Sequence, residues 1–469
     1  MDSRSRQTLP PGTREWATRL SPFWRCLSST PFALLSAADR FSALRSWRTE
    51  YAVVAVSTIR DPSLAPEGER KIEWVAAHAH TLNAFAKSHL ADGTLRGRRI
   101  ALAIHLEAKT AYLAWLFHEA GAEVAATGSN PWSTQDDVAA ALARRGLTVH
   151  AVHGADAATF DAHLLKTLDF GPDLVVDDGA ELVTRLHLER RDLLPAVRAG
   201  SEETTSGVLR LRAMEREGAL AFPVIASNDA RCKHLIDNRY GTGQSALSAI
   251  LAVTNLLLAG KVVVVGGYGL VGQGLAMYCR GFGARVFVVE VDPVKGLEAV
   301  SNGFALVSME EAAAFGDVFV TGTGSIRVLR REHFERMKDG ALIANAGNFA
   351  NEIDEPALRD LAGEVREVRR HVTEYVLDGG RRIHLIAQGA LVNIAAGDGH
   401  PVEIMDLSFS VQALSVHYLA SHAHEHAPGV IPLPRALDDE IARTRLKLLG
   451  MTLETPTPEQ EEYARSWRL

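Results

Sequence analysis

The segment that most restricts how this chain can fold is Gly267-Tyr268-Gly269-Leu270-Val271-Gly272. It follows the β-branched run Val262–Val265 and opens a helical pattern over Gln273–Arg280, and a second strand-like run, Val286–Val289, ends at Glu290. A strand, a glycine turn, a helix and a strand ending in an acid about 20 residues on is the layout of a dinucleotide-binding βαβ unit. Glycines let the backbone approach a pyrophosphate whose charge then sits at a helix N-terminus. Glu290, with Asp292 beside it, suits free ribose hydroxyls and repels a 2′-phosphate. The pattern predicts NAD rather than NADP, held by Gly267, Gly269, Leu270, Val271, Gly272 and Glu290.

The same alternation extends over most of the chain. Strand-length runs at Ile100–Ile104, Glu123–Thr127, Thr148–Val152, Asp173–Val176 and Phe222–Ala226 alternate with helical patterns at Ala108–Ala120 and Thr134–Arg145. A second block has a helix at Ala246–Leu258 and strands at Lys261–Gly266 and Ala341–Ala344; the chain is helical again over Val402–Ser421 and Asp438–Leu449. This order predicts an α/β protein with two doubly wound, Rossmann-like domains joined by hinges. The boundaries read as an extension over 1–55, a first domain over 56–228 completed by 402–435, a second over 244–398, hinges at 229–243 and 399–401, and a C-terminal helical tail over 436–469. The polar, glycine-bearing stretches Asp237–Gln244 and Gly397–His400 carry the hinge reading.

Composition narrows the function classes. Fifty Lys and Arg against 57 Asp and Glu give a net charge of −7, so nucleic acid is excluded as an expected partner. The apolar stretch from Ala246 is interrupted by Asn255 and Lys261 and is too short to span a bilayer. Cys26, Cys232 and Cys279 lie far apart without metal-ligand spacing, which fits a reducing cytoplasm. His422, His424 and His426 alternate in a loop and are read as solvated, so no metal is expected.

Polar clusters fall where the first domain's strands end: His105 with Glu107, Lys109 and Thr110, then Asp177-Asp178-Gly179, then Ser201 to Gly207. Each alone reads as helix capping as readily as chemistry. Together with Ser133-Thr134-Gln135-Asp136, Asn228-Asp229, Lys233, Asp237-Asn238, the glycine loop and Gly399-His400-Pro401, they resemble the S-adenosyl-L-homocysteine hydrolase family from about Asp61 onward. The Glu107/Lys109 pair, Ala395 to His400 and the ending at Ser466-Trp467 are most similar to its short-tailed archaeal and Thermotoga-like branch.

The resemblance implies cleavage of an unactivated C5′ thioether. Oxidation of the ribose 3′-hydroxyl by bound NAD acidifies the C4′ hydrogen, the thiol is eliminated, water adds, and the alcohol is restored. It implies Lys233 and Asp237 at the 3′-hydroxyl, with Lys233 a base if burial depresses its ammonium. It also implies Glu203 and Thr204 on the ribose, Asp178 at C4′ and His105 at C5′. Glu107, Lys109, Thr110 and Met405 would surround the purine. Thr204, Thr205, Ser206, Asn238, Thr323, Ala346, Asn348, Asn393 and His400 would contact or flank NAD, with Asn348 and His400 also reaching substrate. Family members are homo-oligomers, typically tetramers.

The chain departs from the family pattern at three places. Asn348 stands where the family has histidine, Asp178-Gly179-Ala180-Glu181 replaces Asp-Gly-Gly-Asp, and Gln388-Gly389-Ala390 replaces Glu-Gly-Arg. Asparagine exchanges no proton near neutral pH. The first two changes lie toward the 5′ side of the substrate, which frames three alternatives to the hydrolase: a paralogue bringing another nucleophile to C5′, a non-catalytic NAD-binding regulator, and a net NAD dehydrogenase.

Overall fold

The computed structural model describes residues 57–348 and 350–467; the expected extension over 1–55 lies outside them. Two parallel-type sheets organise the chain. The first contains β1 (Thr58–Ile59), β2 (Arg99–Ala103), β3 (Glu123–Thr127), β4 (Thr148–Ala151), β5 (Leu174–Asp177), β6 (Ala199–Glu202) and β7 (Pro223–Ala226). The second contains β8 (Val262–Gly266), β9 (Arg285–Val289), β10 (Ala305–Leu306), β11 (Val318–Thr321), β12 (Ala341–Asn345), β13 (Ala362–Arg369), β14 (Val372–Leu377) and β15 (Arg382–Ile386). The last strand, β16 (Gly429–Ile431), returns to pair with β7 in the first sheet. Spatial orders are β1-β4-β3-β2-β5-β6-β7-β16 and β10-β9-β8-β11-β12-β15-β14-β13. The first sheet is wholly parallel; in the second, β14 alone runs against the other strands, pairing antiparallel with β15 on one side and with the edge strand β13 on the other.

Successive side chains of a strand point to opposite faces, and here both faces are covered. Ile100 and Leu102 of β2 enter one apolar cluster and Ala101 and Ala103 the other. Val263 and Val265 of β8 do the same against Val262 and Val264. This is why the strands read as continuous apolar runs rather than alternating ones.

The first crossing between the sheets, expected as a hinge over 229–243, is helical. Lys233–Gly241 is a helix of the wide π type that runs directly into Thr242–Thr254. The amide of Thr242 bonds to the carbonyl of Asp237 five residues back, so the backbone stays satisfied while the turn is widened. The chain crosses back before Val402–His422, a helix with buried residues on every side. Its Asp406 accepts from the amides of Thr81 (3.0 Å) and Leu82 (2.7 Å) and pairs with Arg445 at 3.3 Å. The helix Arg435–Leu448, expected as part of a tail, is built into the body. Ile441 is buried in the first core, and Asp438 accepts from the amides of Arg231 and Cys232 at 2.7 and 3.0 Å. No helix among the described residues is long and apolar enough to cross a membrane.

Candidate active site

In the first sheet, the chain proceeds from β2 outward through β3 and β4, then returns to lay β5 on the other side of β2. The loops after β2 and β5 therefore part and leave a crevice at the strand C-termini, where open α/β sheets bind ligands. His105 follows β2 and Asp178 follows β5. The imidazole Nε2 lies 3.4 Å from Asp178 Oδ2, and Nδ1 lies 2.6 Å from Ser133 Oγ. Ser129 Oγ donates to the same Asp178 oxygen at 3.0 Å.

One strand further, Glu203 follows β6 and meets the π-type helix. Lys233 Nζ is 3.4 Å from Asp237 Oδ1 and 3.9 Å from Glu203 Oε1, and it donates to Asn238 Oδ1 at 2.9 Å and Asn228 Oδ1 at 3.3 Å. Glu203, Lys233 and Asp237 are all buried. Burial pushes the Glu203 carboxyl up to about 8, with Lys233 opposing. Asp237 is held below the usual carboxylate range: burial works against its charge, but Lys233, His400 and Ser408 outweigh it. Ser408 Oγ donates to Asp237 at 2.6 Å, and His400 Nδ1 lies 3.3 Å away. The expected depression of Lys233 is not found. Burial disfavours its ammonium, yet Asp237, Glu203 and Asp178 hold its proton affinity above the ordinary lysine value.

Glu107 caps the helix Ala108–Glu119, accepting from the amides of Lys109 and Thr110, and pairs with Lys109 Nζ at 2.7 Å. Lys109 Nζ also donates to the carbonyl of Asp398 at 2.8 Å, tying this end of the crevice to the return crossing. Thr110 Oγ1 is buried without a hydrogen-bond partner in the protein. These groups, with Met405 and Ile394, close one end of a cavity of about 610 Å³.

The second sheet contributes the opposite wall. Gly267 adopts a left-handed φ of 93° after β8, and a Cβ at Gly272 would collide with the carbonyl of Gly267. The turn therefore closes tightly and leaves Gly269, Leu270 and Val271 lining the cavity at the start of the helix Leu270–Gly281. Gly267 and Gly272 shape this wall without lining it. Glu290 does not line it either; its carboxylate accepts from the amides of Tyr268, Val291 and Asp292 at 2.6, 2.7 and 3.0 Å. Thr204, Thr205, Ser206, Asn238, Thr323, Ala346, Asn348, Asn393 and His400 all line the cavity, beside His105, Asp178 and the Glu203 cluster. Asn348 Nδ2 donates across it to Ser206 Oγ at 2.9 Å.

Residues 56–197 match the family model for S-adenosyl-L-homocysteine hydrolase, and residues 238–399 match its NAD binding domain. The chain belongs to the S-adenosyl-L-homocysteine hydrolase family. It is 51% identical over 410 residues to the adenosylhomocysteinase of Pyrococcus abyssi, covering 87% of this chain and 97% of that one. Against the adenosylhomocysteinase of Aquifex aeolicus it is 50% identical over 412 residues, 88% and 99% of the two chains. Against the S-inosyl-L-homocysteine hydrolase of Methanocaldococcus jannaschii it is 50% identical over 410 residues, 87% and 99%.

The family's cofactor, NAD, fits the residues present. The glycine turn leaves a helix N-terminus open to the cavity, which suits a pyrophosphate. Asn393 lines the cavity; its Nδ2 donates to Ser245 at 3.1 Å, and its buried Oδ1 has no hydrogen-bond partner in the protein. Several residues of this hydrolase-family site escape sequence reasoning. Gln412 donates to Glu203 at 2.7 Å, and Ser408 holds Asp237; both sit on a helix read only as apolar. Glu352 lines the cavity and accepts from the amides of Thr323 (3.0 Å) and Gly324 (2.8 Å). Only the sheet order brings these partners together. Of the three alternating histidines, His422 stacks on Tyr418 and His426 bonds its hydroxyl at 3.0 Å.

Proposed function

We propose that the chain catalyses the reversible cleavage of the C5′ thioether of S-adenosyl-L-homocysteine to adenosine and homocysteine. The observation that carries this reading is the buried Glu203–Lys233–Asp237 cluster, set in one cavity with the His105–Asp178 pair and the glycine turn. Bound NAD supplies a hydride acceptor for C3′ and later returns the hydride. Lys233 and Asp237 hold the 3′-hydroxyl. In its neutral form Lys233 takes the hydroxyl proton as the C3′ hydride leaves, and Asp237 and Glu203 beside it stabilise the ammonium that results. Asp178 removes the C4′ hydrogen acidified by the 3′-ketone. His105 protonates the departing thiolate and later takes a proton from the water that adds at C5′. Thr204 contacts the ribose, and Glu107, Lys109, Thr110 and Met405 receive the purine.

In this reading residues 56–228 with 402–435 form the substrate lobe and 244–398 the NAD lobe, with 229–243 and 399–401 between them. The proposed setting is a homo-oligomer in the cytoplasm, where Cys232 and Cys279, both free thiols, suit a reducing environment. A paralogue that brings another nucleophile to C5′ is disfavoured by relatives at about half identity, over nearly their whole length, that carry hydrolase names.

The test loads the protein with NAD, adds S-adenosyl-L-homocysteine in heavy water, and follows adenosine release with deuterium at C4′ by mass spectrometry. Release with exchange supports the reading; neither signal overturns it. Because an ammonium donates to a ring nitrogen or to a 6-oxo group, S-inosyl-L-homocysteine belongs in the same assay.

A further inference from the structure

Two buried carboxyls beside the proposed catalytic groups have no part in the chemistry above. Asp177 ends β5 and Glu202 ends β6, and the two are register partners across the sheet. Each immediately precedes an acid that lines the cavity: Asp178 follows Asp177, and Glu203 follows Glu202. The period of a strand turns the members of each pair in opposite directions, so Asp177 and Glu202 lie beneath the cavity floor rather than in it.

Glu202 is fully buried and saturated by backbone donors. Its Oε1 accepts from the amides of Gly179 and Thr204, and its Oε2 from the amide of Ala180, each at 2.9 Å. Gly179 and Ala180 belong to the turn that presents Asp178. Thr204 belongs to the neighbouring turn that presents Glu203. Ala180 sits at φ 57°, a left-handed conformation that costs an alanine and persists only where its surroundings impose it. The bond from its amide to Glu202 is one such constraint. Space for the carboxylate is reserved as well, because a Cβ on Gly207 would collide with it. Asp177 is saturated in the same manner, by the amides of Val183 and Asp178 at 2.9 and 3.1 Å. Burial raises the proton affinity of both acids, with Glu181 adding to it for Asp177 and the neighbouring Asp177 and Asp178 adding to it for Glu202.

We infer that Glu202 is a positioning residue for the proton transfer at C4′: one carboxylate locks the turn carrying Asp178 to the turn carrying Glu203 and Thr204. The inference rests on the proposed function, because it takes Asp178 as the group that moves the C4′ proton. It makes an asymmetric forecast for Glu202→Gln. The amide oxygen of glutamine can keep the two donors now on Oε1. Its NH2 group must then face the Ala180 amide, donor against donor, and that bond is lost. Damage therefore falls on the Asp178 turn, while the Thr204 side, and with it the ribose and the 3′-oxidation, is spared.

The experiment uses the full chain loaded with NAD and given adenosine in heavy water. It reads two partial reactions: absorbance of the reduced cofactor at 340 nm for 3′-oxidation, and deuterium at C4′ for the proton step. For Glu202→Gln the expected result is C4′ exchange slowed at least about 10-fold, roughly the loss of one buried hydrogen bond, with cofactor reduction within about 3-fold of the unmodified protein. Gly207→Ala, whose Cβ would press on both oxygens of the carboxylate without removing it, is expected to slow C4′ exchange as well. Equal slowing of both partial reactions, following a fall in Tm, would mean that Glu202 is only structural. Unchanged exchange in both variants would equally overturn the inference. Absence of both signals in the unmodified protein would instead overturn the proposed function, and the positioning role with it.

Discussion

Glu203 and Asp237 stand on either side of one lysine and respond to pH in opposite senses. The folded state raises the Glu203 carboxyl from the usual 4.5 to about 8, so it favours the protonated acid. That contribution to stability is full below pH 4.5 and is lost as pH rises toward 8. Asp237 is held low, so its contribution is present above pH 3.8 and is lost as the medium is acidified below that. Glu203→Gln removes the first dependence. Thermal scans of the unliganded protein should show the Tm of this variant, relative to the unmodified chain, improving by several degrees between pH 4.5 and 8; a constant difference would count against the raised affinity. Ala180 offers a simpler test. Glycine has no Cβ to strain at φ 57°, so Ala180→Gly should gain about 0.5–1 kcal/mol in urea denaturation. Of the residues proposed for chemistry, His105, Asp178 and Glu203 stand out in polar motifs at strand ends, but their roles, and Lys233 and Asp237 as reacting groups, are reached only through the family resemblance. Glu202, Glu352, Ser408 and Gln412 were not legible, since their partners lie up to about 200 positions away and no local pattern records the pairing.

At the scale of elements, the glycine turn and the long helix Val402–His422 do most to shape the cavity. A Cβ at position 272 would push against the carbonyl of Gly267, shifting the turn away from the helix N-terminus. Gly272→Ala should weaken NAD binding at least 10-fold in a fluorescence titration, with little effect on folding of the other sheet. Asp406 joins three helices through the amides of Thr81 and Leu82 and the guanidinium of Arg445. Asp406→Ala strands all three donors, and chemical denaturation should register a loss of about 3–5 kcal/mol. Strands on both sides of the glycine turn could be read from runs of β-branched residues. The π-type helix could not: Asp237–Gln244 is polar and glycine-bearing, and its helical state is decided by packing against Leu270–Gly281 and Val402–His422 rather than by propensity. The β13–β14 hairpin was also missed, because half of its outer strand is charged and most of it is exposed, as suits an edge strand.

For the molecule as a whole, the two sheets turn their strand C-termini toward one cavity, and Asn348 reaches across it to Ser206. That bond is exposed to competition from water and ligand, so it should contribute more to closure than to folding. Asn348→Ala is expected to raise KM for S-adenosyl-L-homocysteine by about 3- to 10-fold, within the worth of one hydrogen bond, while Tm moves by less than 1 °C. A fall in kcat with unchanged KM would assign the side chain to chemistry instead.

The return of β16 to the first sheet also bears on how the protein comes into being. A ribosome releases β1 through β7 early, yet the helix that covers their sheet, the carboxylate of Asp406 that caps the start of His80–Ser88, and the strand that seals the β7 edge all arrive after residue 401. The second sheet, uninterrupted between residues 262 and 386, has every strand it needs much sooner. Folding can therefore run against the order of synthesis: the middle of the chain can settle first, while the first half waits for the residues after 401, about the last seventh of the polypeptide, to cover its sheet and close its edge. A nascent chain halted before that point carries most of its proposed catalytic side chains and no wall to hold them in place.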